Sequence, residues 1–500
     1  MRNPFFYRTF LFIVLFELLS IFGYLLPQFN TIAFFFIVAL VALVTFWKLE
    51  YGCYAILAEL FIGSKGFLFF WVVGGTMISL RIALWLVVMS VWCARFLTNK
   101  NERDFWRHAI QRPIIRWVFL FFFVILFSAV QGFFRNTPAD AFFDANAWLF
   151  FLLLFPFLST LRTKEHFDHT LSILFAAVFS LSLKALAILF IYAHDPLGGV
   201  FLPLYRWVRT TGVGEITVLN PTFARIFFQS QIYVLIAFFL LFFLPRSKNI
   251  FDRVTRYMLH VVCLASLLLS LSRSFWLAGI VTLSIALLYV REWKKCVEIM
   301  SIGVVGFFLI FAVMNFPYPR TAGGSLASLI EDRATETQEA GIGSRWSLLP
   351  PLLNRISEHW FLGAGFGTTV TYKSSDPRIV ESSARGNNFY TTYAFEWGYL
   401  DLLLKFGFLG TLVYCVLLWM IGKRLYLTTD NLPPPLAGSR LPYQSQQVAG
   451  QLTTGLFFGF IALLLTNIFS PYLNHPLGIG ILLLCIIFSF LDVSHEEGKV

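Results

Sequence analysis

The longest polar stretch of the chain, residues 316–399, uses arginine far more than lysine. Against the single lysine, Lys373, its arginines are Arg320, Arg333, Arg345, Arg355, Arg378 and Arg385. The planar guanidinium binds phosphate oxygens through two parallel hydrogen bonds and keeps its proton, so this choice suits a phosphate or diphosphate ligand. The stretch also contains enough acids to cancel these charges, and pairing with them is the plainer interpretation of any one arginine.

A further arginine, Arg273, lies in "LLLSLSRSFWLAG", between two apolar runs that are joined by almost no loop. An ionisable residue at that depth in an apolar sequence is a candidate functional residue. The alternative is that its long side chain extends to the headgroups at the outer surface of a membrane. The residue type and position leave both interpretations open.

Three histidines lie in predicted outward segments and are candidate general bases, since the unperturbed pKa of histidine is about 6.5. They are His194, His359 and His475. His475, in "SPYLNHPLG", occupies a very short turn and can face a cavity under the large loop, although a lone turn histidine is more often a surface residue. No Ser/His/Asp order, phosphate-binding glycine signature or metal-ligand spacing is visible, and we expect neither metal nor cofactor.

Three charged residues, Glu17, Glu59 and Lys184, lie inside apolar runs rather than between them. Charges at such positions are costly, and they usually pair inside a helix bundle or line a water-filled path. The sequence is compatible with structural ion pairs and with a proton path, because it does not reveal which side chains meet.

Apolar runs long enough to cross a bilayer, which takes about 20 helical residues, follow one another along the whole chain. We predict about 14 transmembrane helices (12–14) in an all-α polytopic membrane protein. The runs are 9–26, 31–46, 51–80, 82–97, 117–130, 148–161, 170–192, 226–244, 257–271, 275–290, 296–315, 400–421, 448–469 and 477–491. The third run is interrupted by "GSKG" at 63–66, which a membrane protein tolerates only where the backbone is buried in protein or faces water.

Composition agrees with this class, because 58% of the 500 residues are hydrophobic and only 13% are charged. The net charge of +11 is spread over short gaps rather than gathered in one patch, so we expect no nucleic-acid partner. Lysine and arginine concentrate in alternate gaps, and this places both termini in the cytoplasm.

The chain therefore divides into four predicted parts. Residues 1–315 form membrane helices 1–11, residues 316–399 a large periplasmic loop, residues 400–492 helices 12–14 and residues 493–500 a cytoplasmic tail. Within the loop, "RWSLLPPLLNRISEHWFLGAGFG" has the apolar spacing of a short amphipathic helix near the membrane surface, ended by glycines.

Several of these strings together resemble the O-antigen ligase and O-antigen polymerase superfamily. They are "SLSRSFWLAG" between two spans, the loop sequence with "GAGFG", and "EWGYLDLLLKFGFLGTLVYC" at the start of the next span. The matching positions are Ser272 with Arg273, Arg345 at a loop helix, the loop glycines Gly363, Gly365 and Gly367, and Gly407 with Gly410. The motifs cover roughly residues 265–420, and each is loose, but their order within this topology is moderately specific.

This resemblance implies a GT-C-like fold in the inner membrane of a Gram-negative bacterium and a metal-independent glycosyltransferase without cofactor. Such enzymes transfer a glycan from undecaprenyl diphosphate to an acceptor hydroxyl, either of lipid A core (ligase) or of another glycan (polymerase). On that analogy Arg273, Arg345 and Arg209 would bind the diphosphate, and a base would deprotonate the acceptor. Membrane lipids would surround the protein, with the active face periplasmic.

One position departs from the family pattern. Ligases typically carry a histidine just before the helix that follows the large loop, often beside an asparagine; here Asn387 and Asn388 are present and the histidine is absent. Glu396 is the nearest proton acceptor, and burial beside a sugar site would make it a better base. We therefore predict Glu396 and His475 as catalytic residues. Asp401 and Lys405 can form a helical ion pair, worth roughly a few tenths of a kcal/mol when exposed, that sets the helix at the interface.

Two other functions remain open from the sequence. A transporter of a polar or anionic solute would explain the charges inside apolar runs and the broken "GSKG" run. An inactive scaffold in an envelope-assembly complex is the third alternative.

Overall fold

The structure is a computed structural model that describes residues 4–195, 198–220, 222–244, 249–316, 340–374, 388–430 and 443–491. Most of these residues are helical, which confirms the all-α polytopic class. Four of the loop arginines (Arg320, Arg333, Arg378 and Arg385), Asn387 and the predicted tail 493–500 lie outside the described residues. The four predicted parts of the chain stay predictions.

Residues 4–194 contain nine helices and one 3₁₀ segment, Asn146–Leu153. The helices are α1 (Pro4–Leu25), α2 (Pro27–Trp47), α3 (Leu49–Ile62), α4 (Leu80–Thr98), α5 (Lys100–Ala109), α6 (Pro113–Arg135), α7 (Pro138–Ala145), α8 (Leu154–Thr160) and α9 (Lys164–His194).

The described residues after His194 form nine more helices. They are α10 (Phe201–Thr210), α11 (Gln231–Phe243), α12 (Ile250–Leu269), α13 (Arg273–Val290), α14 (Trp293–Asn315), α15 (Ala340–Glu358), α16 (Gly398–Asp430), α17 (Tyr443–Thr466) and α18 (Pro476–Leu491).

Nine helical segments of the described chain are long and apolar enough to span a membrane. Three shorter apolar helices, Gln231–Phe243, Gly450–Thr466 and Pro476–Phe488, accompany them. The predicted span count of 14 therefore stays a prediction. Helix α15 lies in the predicted loop, where an amphipathic helix was expected.

Three small antiparallel hairpins, which the sequence analysis did not predict, occupy segments between helices. They are β1 (Phe70–Val73) with β2 (Thr76–Ser79), β3 (Gly214–Asn220) with β4 (Phe223–Phe228), and β5 (Val370–Lys373) with β6 (Phe389–Thr392). Phe70 is opposite Ser79, Gly214 opposite Phe228 and Val370 opposite Thr392. The strand pairing satisfies backbone N–H and C=O groups in segments that are not helical.

The core of the bundle surrounds α11, whose residues from Gln231 to Phe242 are all buried. A helix that is apolar on every face is expected at such a position. Its one side-chain amide, on Gln231, donates from Nε2 to the carbonyl and hydroxyl oxygens of Ser266, at 3.1 and 3.0 Å. The only amide in this helix is thus satisfied by α12.

Several segments between or at the ends of the helices contact one another at one end of the bundle, which we call the loop end because residues 340–397 lie there. Contacts at the loop end include Asn136 with Phe366, Ser64 with Ser230, Arg225 with Ser270, and Tyr472 with Gln229. Contacts at the opposite end include Glu50 with His166, and Arg256 with Glu298. This grouping is the one that an alternating up-and-down chain produces.

The interrupted third run is not one helix. Helix α3 ends at Ile62, and the "GSKG" turn that follows has positive φ at Ser64 (50°) and Gly66 (91°). Gly63, Ser64 and Gly66 are buried and Lys65 is exposed. The irregular backbone is therefore enclosed by protein, as the membrane environment requires.

The charged residues inside apolar runs have partners within the bundle. Glu17 of α1 accepts from Nζ of Lys184 in α9 at 2.6 Å, and Glu59 accepts from Nε of Arg81 at 2.7 Å. All four side chains are at most 10% exposed. They are thus structural ion pairs that cross-link helices.

Helix α16 is interrupted at Gly407, whose φ of 66° and ψ of −175° are not helical. The backbone groups that this break releases are satisfied by residues 360–365. Phe408 N donates to Trp360 O at 2.7 Å, and Ala364 N donates to Leu404 O at 2.7 Å. The glycine-rich segment of the loop therefore forms part of the broken helix.

Replacing Gly407 tests this arrangement. An alanine Cβ there would overlap the backbone of Gly363 and would also occupy a left-handed conformation. We expect Gly407→Ala to lower the free energy of unfolding by at least about 1–3 kcal/mol from the backbone conformation alone. Gly303→Ala in α14 is the matched control, because a Cβ there meets nothing within 4 Å. Equal thermal unfolding shifts of the two purified variants would contradict the arrangement.

Candidate functional site

A turn at the loop end, residues 467–475 between α17 and α18, contacts the segments that carry most of the predicted site residues. The Phe469 ring lies 5.5 Å from that of Trp397, and Ser470 Oγ lies 2.9 Å from Ser274 Oγ. Asn474 donates from Nδ2 to Asp401 Oδ2. This 467–475 turn therefore brings the neighbours of Glu396 and Arg273 to one surface.

Arg345 and Glu396 form an ion pair at this surface, with Nε of Arg345 donating to Oε2 of Glu396. The arginine is on α15, and its carbonyl oxygen accepts from Nε1 of Trp397 at 3.1 Å. This bond fixes α15 beside the residues that precede α16. Two predicted site residues, 51 positions apart, thus meet.

The exposure of this pair bears on what Glu396 can do. The Arg345 side chain is 36% exposed and that of Glu396 55%, so the pair contributes only about 0–1 kcal/mol to stability. The burial that would make Glu396 a better base is not found. Glu396 is instead accessible to an acceptor, and its carboxylate is oriented by the guanidinium.

Arg273 is the first residue of α13 and is partly buried. Beside it, Ser272 Oγ lies 3.1 Å from Ser274 Oγ, which in turn contacts Ser470. These hydroxyls hold the start of α13 against the 467–475 turn. Arg273 therefore shares this turn with the Arg345–Glu396 pair.

Arg225 is a second guanidinium near the start of α13, and sequence reasoning did not single it out. Its Nε donates to the carbonyl of Ser270 at 2.9 Å, next to Leu271, whose φ is 43°. The available signal was its position in "NPTFAR", at the end of a long gap between two predicted apolar runs, residues 193–225. Only folding shows that strand β4 carries it to the end of α12.

Arg209 lies at the end of α10, exposed, with its Cζ 5.6 Å from the Tyr205 ring. Its carbonyl accepts from Gly212 N, and the Gly212 carbonyl accepts from Lys65 N. Arg209 is therefore close to the "GSKG" turn. Among the hydrogen bonds and ion pairs of the described residues, we find none that joins it to Arg345 or Glu396.

His475 caps the start of α18, where its Nδ1 accepts from Leu477 N at 3.3 Å. Burial, together with the positive charges of Arg81 and Lys65, lowers the pKa of His475 to about 3. The ring is therefore neutral at pH 7, and its Nδ1 lone pair is already in use. This geometry suits a hydrogen-bond donor better than the general base that the sequence predicts, and the catalytic role of His475 stays a prediction.

The loop glycines allow close backbone contacts. A Cβ on Gly363 would lie 2.5 Å from Lys405 O, one on Gly365 would lie 2.6 Å from Gly132 N, and one on Gly367 would overlap Ala141. All three have positive φ. They pack the loop against helices α6, α7 and α16 and do not form an open phosphate cradle.

A buried ionic cluster lies beneath these glycines. Lys405 Nζ is 2.7 Å from Asp401 Oδ1 and 2.6 Å from Asp144 Oδ1, and all three side chains are at most 8% exposed. The predicted pair of Asp401 and Lys405 is present, and it is buried rather than exposed. The reason is that α7 and the 467–475 turn cover this part of α16, which the sequence of α16 alone does not reveal.

The Lys405 cluster also holds the loop. The second oxygen of Asp144 accepts from Gly367 N at 2.8 Å, and Ser128 Oγ donates to Lys405 O at 2.9 Å. Asp144 was missed because it is a single acid in the apolar string "AFFDANAWLF". Among the described residues, no group of three or more His, Cys, Asp or Glu side chains is placed to hold a metal ion.

Lys405→Met tests the contribution of the cluster. The substitution leaves two buried carboxylates facing each other without a cation, and we expect it to cost about 3–5 kcal/mol of stability. Lys423→Met, in the same helix, removes an exposed lysine that lies over the Trp419 ring at 5.0 Å, and its effect should be small. Similar unfolding temperatures for the two variants would show that the cluster contributes little.

Comparison with known proteins concerns the same part of the chain. Residues 258–415 match the family model described as O-antigen ligase. The match begins in α12 and ends in α16, and it includes Arg273, Arg345, Glu396 and the three loop glycines. No curated protein matches the chain. The match to residues 258–415 confirms the resemblance to the O-antigen ligase and O-antigen polymerase superfamily that the sequence motifs indicate.

Proposed function

We propose that this membrane protein transfers a glycan from undecaprenyl diphosphate to an acceptor hydroxyl of lipid A core or of another glycan. The observation that carries the proposal is the approach of Arg345–Glu396 and the Arg273 segment to one turn at the loop end. Guanidinium groups and an accessible carboxylate are the groups that such a transfer needs. The loop end then faces the periplasm of the inner membrane, and both termini are cytoplasmic.

The arginines stabilise the leaving group in this proposal. As the bond between the anomeric carbon and the diphosphate oxygen breaks, the electron pair stays on the diphosphate and its negative charge grows. Arg273 and Arg345 bind these oxygens. Arg225, whose Nε donates to the carbonyl of Ser270 just before α13, adds positive charge on the Arg273 side. Preorganised cations of this kind stabilise developing charge without a metal ion.

Glu396 acts on the acceptor side. The acceptor oxygen attacks the anomeric carbon while its proton passes to the Glu396 carboxylate. In the free protein this carboxylate accepts from Arg345, so binding of the diphosphate by Arg345 releases it for the acceptor. The ion pair thereby couples binding of the donor to activation of the base.

The transporter alternative loses the observation that motivated it. Glu17, Glu59 and Lys184 are paired inside the bundle, and the "GSKG" break is enclosed by protein. Glu17, Glu59 and Lys184 therefore leave no unpaired charge inside the bundle for a proton path. We therefore do not develop this alternative further.

Arg345→Gln is the main test. Loss of a cation that stabilises the leaving diphosphate should reduce the rate of glycan transfer about 100-fold or more. Arg355→Gln is a matched control, because Arg355 is on the same helix, pairs with Glu358 at 2.6 Å and is 42% exposed. The assay uses nanodiscs with undecaprenyl-diphosphate-linked glycan, with and without lipid A core, so that ligase and polymerase products are separated. Equal rates for the two variants would contradict the proposal.

Glu396→Gln separates the base from the binding groups. We expect a loss of transfer of about 10²–10⁴-fold with affinity for undecaprenyl diphosphate that is unchanged or higher, because the arginines remain and Arg345 no longer has to leave Glu396. Glu358→Gln, which removes the matching acid of the control pair, should retain activity. If Glu396→Gln transfers glycan at the parent rate, Glu396 is not the base, whatever the result at Arg345.

A further inference from the structure

The "GSKG" turn exposes one lysine, Lys65, and is itself fixed by buried hydrogen bonds and an ion pair. Arg81 binds both carboxylate oxygens of Glu59, at 2.7 and 3.2 Å, and donates from its third nitrogen to Ser64 O at 2.6 Å. Ser64 and Ser230 exchange backbone-to-hydroxyl bonds at 3.0 and 3.2 Å. Buried ion pairs and positive φ values at non-glycine residues cost free energy of folding. A function of this turn would explain why they are present here.

Lys65 is the only exposed residue of the four in the turn. Its stem lies on Gly212, where an added Cβ would be 2.9 Å from Lys65 Cδ, and its backbone N donates to Gly212 O. The described residues provide no carboxylate within ion-pair distance of Lys65 Nζ. The ammonium group is thus held at the loop end with its charge uncompensated.

His475 presents a second donor near this lysine. Since Nδ1 accepts from Leu477 N, the proton of the neutral ring is on Nε2. Tyr472, whose carbonyl accepts from His475 N at 3.1 Å, donates from its hydroxyl to Gln229 O at 3.0 Å, and the next residue, Ser230, accepts from Ser64 N at 3.0 Å. The 467–475 turn and the "GSKG" turn are therefore neighbours. A neutral imidazole has no negative charge that would repel an anion, whereas a carboxylate would. Its Nε2–H can also donate to a phosphate oxygen.

We propose that Lys65 and His475 form a binding subsite for the diphosphate group of the lipid-linked donor. Lys65 supplies the charge, and His475 donates from Nε2 to a phosphate oxygen. The subsite rests on the proposed function. Its His475 lies in the same 467–475 turn as Ser470, which contacts Ser274 at the start of α13. It gives His475 a role as a binding residue in place of a base.

The test measures binding of undecaprenyl diphosphate to the full-length protein in nanodiscs. Lys65→Gln should weaken binding about tenfold or more, as loss of a charge-assisted hydrogen bond does, and Lys65→Arg should retain most of it. His475→Asn keeps an acceptor for Leu477 N but removes the Nε2 donor, so it should also weaken binding. Lys373→Gln, at an exposed lysine of β5, is the control and should change affinity less than twofold.

Unchanged affinity in both Lys65→Gln and His475→Asn would overturn the subsite. Competition by inorganic pyrophosphate distinguishes recognition of the diphosphate from recognition of the lipid; its failure to compete would also count against the subsite. Transfer activity is read separately in the same nanodiscs. Binding that depends on Lys65 without any glycan transfer would sink the proposed function and leave the subsite standing, whereas transfer that is indifferent to Lys65 and His475 would do the reverse.

Discussion

The contact of Lys405 with two carboxylates joins the parts of the chain on which the loop end depends. Asp401 is one turn earlier on the same helix, and Asp144 comes from α7. Through their remaining oxygens, Asp401 reaches the 467–475 turn and Asp144 reaches the glycine segment of the loop. An isolated charge at this depth would be prohibitive, so the three groups are stable only together. The loop, the broken helix and the turn are therefore fixed as one unit.

This unit positions the candidate site. With α16 broken at Gly407, the segment 360–365 completes the backbone hydrogen bonds of the helix, and α15 is held against residues 396–397. Arg345 and Glu396 consequently meet at an exposed surface, although the buried Asp401 and Lys405 follow Glu396 closely in the sequence. Buried ion pairs provide the framework, and the exposed groups remain accessible to substrates.

The sequence predicted the features that depend on local pattern. Apolar runs gave the helical class, "RWSLLPPLL" gave the loop helix, and the four-residue spacing gave the pair of Asp401 and Lys405. It did not predict the burial of that pair, the contribution of Asp144 or the arrival of Arg225 at Ser270, because each depends on which distant segment covers the residue. The bond from Leu477 N to His475 Nδ1 was also not predicted, because it is a property of the turn geometry. The hairpins were not predicted because their strands are short and do not show a clear alternation of polar and apolar residues.

The central claim is that the loop end binds the diphosphate of a lipid-linked glycan beside Glu396. The most direct measurement is a structure of the protein in nanodiscs with bound undecaprenyl diphosphate, determined by electron cryomicroscopy. The account predicts phosphate density within hydrogen-bond distance of Arg273 or Arg345, next to the 467–475 turn, with Glu396 released from its arginine. Phosphate density at another surface, with the Arg345–Glu396 pair intact and the turn unoccupied, would contradict it.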